Sequence, residues 1–187
     1  MTARPEKQGA SPVSFKVNVH RLPRKGMPVI IEADAAQRAA LAGEHDLLSV
    51  EGFRADLAVR PWKADGIKVS GRVQADIIQA CVVTLEPVES RIDEEVSATF
   101  VPEGSRLARN DMEGGEFVVD AEGPDLPETF LGDLIDVGAL AEEFFGLGID
   151  PYPRKPGATV PAPAGPQDEE ERTGPLYEGL RKLGQKD

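Results

Sequence analysis

Between Gly71 and Pro87 the chain reads Gly-Arg-Val-Gln-Ala-Asp-Ile-Ile-Gln-Ala-Cys-Val-Val-Thr-Leu-Glu-Pro, and no other stretch limits the fold as much. Val73, Ala75 and Ile77 alternate with Arg72, Gln74 and Asp76. That period of two belongs to a strand with one face buried and the other in water. A helix would scatter the same apolar groups around its circumference. Ile67 and Val69 extend the parity back to Asp65-Gly66, a hairpin-turn dipeptide. At the other end Leu85-Glu86-Pro87 stops the strand, because a proline has no N–H for the ladder. Leu48, Val50, Phe53, Ala55, Leu57 and Val59 lead up to the hairpin, and Ile92, Glu94, Val96, Ala98 and Phe100 follow the corner. Three strands with short links imply an antiparallel meander.

The flanks add shorter elements. Residues 1–13 are polar with two prolines and read as a flexible N-terminus. Phe15, Val17 and Val19 alternate as a short strand, and Val29-Ile30-Ile31 is a second extended run. Asp34 with Gln37 three residues later makes a capping box for an alanine-rich helix over 35–42, stopped near Gly43. Residues 102–124 read as an acidic loop with a possible short strand at Phe117-Val118-Val119. Asp136 is a good N-cap for a second helix, on which Val137, Leu140, Phe144 and Leu147 share the core face. Phe144→Ala should then cost about 3–5 kcal/mol. Asp150-Pro151-Tyr152-Pro153-Arg154-Lys155-Pro156-Gly157 cannot be helical. The expected organisation is an α+β domain over 14–156, a Pro/Ala/Glu-rich flexible linker over 157–174, and a short amphipathic tail helix over 175–187. The expected form is an antiparallel β meander or a partly closed barrel, with one or two packed helices.

Charge is unevenly placed along the chain. Residues 1–80 carry 12 Lys and Arg against 9 Asp and Glu, residues 81–150 carry 3 against 18, and residues 151–187 carry 6 against 6. The acidic middle repels phosphate, so it suits a basic protein better than nucleic acid; a solubilising face is the plain alternative. No apolar run is long enough to span a bilayer, and the N-terminus lacks the apolar centre of a signal peptide. A cytoplasmic protein with neither membrane nor DNA as partner is expected.

Chemistry-bearing residues are sparse. Cys81 is the single cysteine, with no basic neighbour in sequence, and reads as a buried structural thiol. His20 and His45 lack ligand spacing, and no phosphate loop or nucleophile elbow is present. No cofactor, metal or catalytic residue is assigned. Three basic clusters are candidates for RNA or partner contact: Arg21, Arg24 and Lys25 at a turn; Arg154 and Lys155 beside Tyr152; and Arg181 with Lys182. Cations beside an aromatic ring can hold phosphate and stack a base. Ordinary surface charge is the competing reading of each.

The ordered set of pieces resembles the YceD-like family of large ribosomal RNA subunit accumulation proteins. The pieces are the long alternating strand into Cys81-Val-Val-Thr-Leu85-Glu86-Pro87-Val88, the strand Ile92 to Phe100, the acidic loop, and Leu134-Ile-Asp136-Val-Gly-Ala-Leu140. Asp150-Pro-Tyr-Pro-Arg-Lys155 and the tail from Pro175 to Leu183 complete it. The resemblance covers residues 15–156 plus that tail. The family often shows C-x-x-C-L-x-P at the strand end; here Thr84 holds the second cysteine position, while Leu85, Glu86 and Pro87 are kept. The resemblance implies a non-enzymatic ribosome biogenesis factor with large-subunit ribosomal RNA, its precursor, or a ribosomal protein as partner. Cys81, Leu85, Glu86 and Pro87 are its signature corner. The alternative is a protein-interaction adaptor without RNA contact; a thiol or hydrolytic enzyme is a third reading.

Overall fold

The computed structural model describes residues 10–108 and 127–159. The chain divides into two units, Met1–Lys155 and Pro156–Asp187, and the elements below belong to the first. Its elements are β1 (Lys16–Asn18), β2 (Met27–Glu32), α1 (Ala35–Glu44), β3 (Ser49–Trp62), β4 (Gly66–Ala80), β5 (Pro87–Pro102), β6 (Glu128–Phe130), β7 (Leu134–Asp136) and α2 (Val137–Leu147).

Long strands β3, β4 and β5 form the expected antiparallel meander. Strand β2 adds to one edge antiparallel and β6 to the other in parallel, in the order β2-β3-β4-β5-β6. The sheet is open, so the meander form is the one realised and not the barrel. Strands β1 and β7 pair separately as a two-stranded ribbon. Neither β6 nor β7 was expected from the sequence, since three residues are too few to show a period.

The two long strands on either side of the β3–β4 hairpin keep their parity. Phe53, Ala55, Leu57 and Val59 of β3 are buried, facing Val69, Val73, Ala75 and Ile77 of β4. A register shift between Val50 and Gly52 lets both Val50 and Phe53 reach the core across an odd spacing. Helices α1 and α2 cover this face, and the opposite face carries charge. No helix among the described residues is long and apolar enough to cross a membrane.

Helix α1 starts with the expected capping box. Asp34 accepts from the Gln37 N–H at 2.8 Å, and the Gln37 side chain accepts from the Asp34 N–H at 2.9 Å. It runs through Gly43 to Glu44, two residues past the expected end. Helix α2 starts at the expected cap, Asp136, but its buried face is rotated. Val137, Gly138, Leu140, Ala141 and Phe145 are buried, Phe144 is half-buried and Leu147 is exposed. The expected core residue Phe144 is therefore displaced by Phe145. Phe145 falls four residues after Ala141, so the buried face is centred on the Gly138–Ala141 side of the helix and Leu147 falls off its opposite edge.

Residues 12–15, at the border of the expected flexible lead-in, are held by hydrogen bonds and by Val13. Val13 is buried, and the Pro12 carbonyl accepts from the Gln37 side chain. Asp136 accepts from the Ser14 hydroxyl and from the Phe15, Gly138 and Ala139 N–H groups. A side chain at Gly138 would overlap the Val13 carbonyl, so the segment's crossing of α2 requires glycine there.

Candidate functional site

Strand β4 runs out at Ala80, and the chain turns through residues 81–86 into β5. The turn closes on itself. The Cys81 N–H donates to the Glu86 carbonyl at 2.8 Å, and the Leu85 N–H donates to the Cys81 carbonyl at 2.9 Å. The second bond fits an α-turn, and Leu85 sits at φ +61 without being glycine. That left-handed conformation costs a branched side chain about 1–2 kcal/mol. Leu85 is also 77% exposed, so core packing does not repay the cost.

Downstream of α2, residues 149–155 cross behind this turn as a strap. Gln79 Nε2 donates to the Asp150 carbonyl at 2.9 Å, and the Val82 N–H donates to the Pro153 carbonyl at 2.9 Å. Lys155 contributes twice. Its backbone N–H donates to Cys81 Sγ at 3.4 Å, and its ammonium reaches Glu86 at 2.9 Å. The Asp150 carboxylate accepts from the Tyr152 N–H at 2.8 Å, which folds the strap and turns Tyr152 outward, 71% exposed. Pro153 is buried beneath. Thus Cys81, Leu85, Glu86 and Pro87, and Tyr152, Arg154 and Lys155, form one joint, although some 70 residues separate them.

Cys81 is wholly enclosed, as expected for a structural thiol. The Lys155 N–H donor and the Thr84 hydroxyl and N–H pull its pKa down to about 6, against the upward push of desolvation. Thr84, the residue in place of a second cysteine, donates its N–H to Cys81 Sγ at 3.5 Å and accepts from the Glu86 N–H at 3.4 Å. It serves the turn as a hydrogen-bonding residue. The Lys155 ammonium holds the Glu86 carboxyl below the usual carboxylate range. With one charge of each sign and both groups half-exposed, solvent screens this pair, and it positions the strap more than it stabilises it. Sequence reading did not find Gln79, whose Nε2 anchors the strap. Gln79 is buried, and its Oε1 has no hydrogen-bond partner among the described residues. A polar residue on the apolar parity of β4 was the available signal.

The other basic candidates lie elsewhere. Arg21, Arg24 and Lys25 are exposed near the β3–β4 hairpin, at the far end of β4. Arg181 and Lys182, like the expected strand at 117–119 and the tail helix, lie outside the described residues.

An open, mostly antiparallel sheet presenting an exposed, hydrogen-bonded corner is the class of small α+β protein that this fold and joint define. The chain belongs to the YceD family: the family described as Large ribosomal RNA subunit accumulation protein YceD matches residues 69–184. The match begins inside β4, so β1 to β3 and α1 precede it, whereas the resemblance in sequence extended from residue 15. It includes both sides of the joint. No match was found among curated proteins or among solved structures. The family description ties the protein to accumulation of large-subunit ribosomal RNA.

Proposed function

We propose that this chain is a non-enzymatic ribosome biogenesis factor of the cytoplasm. It supports accumulation of large-subunit ribosomal RNA by binding that RNA or its precursor, a basic ribosomal protein, or both. Family membership supports the pathway. The observation that carries a binding role is the joint: Leu85 in a strained conformation and Tyr152, both largely in solvent, fixed by hydrogen bonds from two distant segments. Strain kept at an exposed position marks a surface shaped for a partner.

The test is a depletion strain complemented with wild-type protein, Leu85→Gly or Tyr152→Ala, read by large-subunit RNA level and subunit profile. Both variants should fold normally and fail to complement. Unchanged RNA and subunit profiles on depletion itself would overturn the function, and full complementation by the double variant would overturn the role of the corner.

A second reading, an adaptor without RNA contact, is favoured by the apolar character of Val82, Leu85 and Tyr152, all exposed. Lys155 is also occupied by Glu86, which leaves Arg154 as the cation of that cluster without an ion pair among the described residues. Filter binding of ribosomal RNA with and without Arg154→Ala and Lys155→Ala separates the readings. Salt-sensitive binding lost in the variants supports RNA contact at the corner.

A further inference from the structure

Arg24, Lys25, Arg60, Lys63 and Lys68 come from three separate segments and converge at the hairpin end of the sheet. We propose that this end binds single-stranded RNA, with these cations on its phosphates and Trp62 stacking a base. The proposal rests on the ribosomal RNA reading above and gives it a surface remote from the corner.

The convergence is built into the backbone. Arg60 of β3 and Lys68 of β4 are direct partners in the ladder. The turn before β2 is closed by the Gly26 N–H donating to the Pro23 carbonyl at 2.8 Å, which makes Arg24 and Lys25 its two exposed central residues. Gly26 has φ +78, and a Cβ there would lie 2.5 Å from both Arg60 Cγ and the Val59 carbonyl oxygen. Glycine therefore lets this basic turn lie against the basic end of β3. Trp62 follows Arg60 by two residues, on the same sheet face, and its indole lies across Gly66, whose Cβ would meet it at 2.7 Å. The Lys63 ammonium sits 4.1 Å from the ring centroid.

The charges of this face divide into two halves. Toward the corner every arginine is matched: Arg54 with Glu32 and Asp56, Arg72 with Asp93 at 2.9 Å, and Arg91 with Asp76 at 3.2 Å. At the hairpin end Arg24, Lys25, Arg60 and Lys68 have no ion pair among the described residues. Like charges directly opposite across a ladder are destabilising, and this chain, with net charge −12, has carboxylates to spare. A bound polyanion offsets that repulsion. Trp62 selects RNA over an acidic peptide, because nucleobases stack on indole and the flexible Lys63 side chain can yield its place. Single strands are favoured because a ring lying flat on a strand cannot reach bases paired inside a helix. Along β4 the 13 steps from Lys68 to Cys81, at about 3.3 Å each, place this surface about 43 Å from Cys81. RNA at the hairpin therefore leaves the corner free for a protein partner.

Trp62 is the only tryptophan, so its fluorescence reports on this surface alone. Full-length protein titrated with a uridine homopolymer should show quenching that weakens with salt. Arg60→Gln/Lys68→Gln should lower the slope of log affinity against log salt by about 1.4 while leaving the urea midpoint equal or higher. Trp62→Ala should bind about 5- to 150-fold more weakly, and Trp62→Phe should keep most of the affinity. Binding on filters with unchanged Trp62 fluorescence and unchanged affinity in these variants overturns the proposal while leaving the ribosomal RNA reading intact. Equal quenching by poly-L-glutamate overturns the assignment to RNA. Absence of any RNA binding also overturns it, and the depletion phenotype then decides separately whether the broader function stands.

Discussion

Replacing Phe145 with alanine tests the helical phase on which the corner depends. Phe145 is fully buried, with its ring edge-on to Phe53 at 5.6 Å and to His45 at 5.1 Å between centroids. Losing its transfer from water costs about 1.5–3 kcal/mol. The unfilled cavity raises the loss to about 3–5 kcal/mol, and aromatic contacts of about 0.5–1.5 kcal/mol place it in the upper half of that range. Phe144 is only half-buried, so its truncation should cost about 1–2 kcal/mol. In urea, with a slope of about 2 kcal/mol per molar, Phe145→Ala should lower the midpoint by about 2 M and Phe144→Ala by less than about 1 M. The slopes should match, so that the shifts report stability alone. The strap follows α2 directly, so the Val82 N–H bond to Pro153 should also exchange faster in Phe145→Ala. Equal losses for the two variants, or a larger loss for Phe144→Ala, would refute the packing described here.

Four further measurements bear on the joint and its support. Asp136→Ala removes a cap that four donors use and should cost about 2 kcal/mol, with faster exchange of the Phe15 and Ala139 amides. Burial pushes the Asp136 carboxyl up, but the Ser14 hydroxyl and the Ala139, Phe15 and Gly138 N–H groups hold it below its ordinary value. Its advantage over Asp136→Asn should accordingly be present at neutral pH and vanish as pH falls through that depressed pKa. Leu85→Gly should raise stability by about 1 kcal/mol by removing the left-handed penalty, so failure to complement cannot be attributed to unfolding. For Cys81 the folded pKa of about 6 lies below the unfolded value of 9.0. Its contribution is complete above the unfolded value and is lost as pH falls through about 6. The stability difference between wild type and Cys81→Ala should therefore grow from pH 6 to pH 9; a difference that is flat or shrinks refutes the stabilised thiolate.

The meander was legible because β3, β4 and β5 are long enough to repeat their alternation many times, and a one-residue error would turn every side chain over. The cap of α1 was legible because Asp34 and Gln37 act within one turn. What sequence could not supply was distance. Nothing local tells Lys155 that its N–H will meet Cys81, since that contact depends on how far α2 travels and where Phe145 anchors it. The same holds for Arg60 and Lys68, which read as ordinary polar positions of two strands until the register sets them opposite each other. The basic clusters found by adjacency were incomplete for this reason: Arg24 and Lys25 were visible, while Arg60, Lys63 and Lys68 joined them only through the ladder. Adjacency also grouped Lys155 with Arg154 as free cations, yet the joint ties Lys155 to Glu86. A net charge by segment averages over such pairings. Once they are drawn, the uncompensated positive charge of the described sheet face lies at the hairpin, and the corner is the more apolar of its two ends. The division of labour inferred from these two ends therefore comes from register and pairing, which the composition of the chain does not carry.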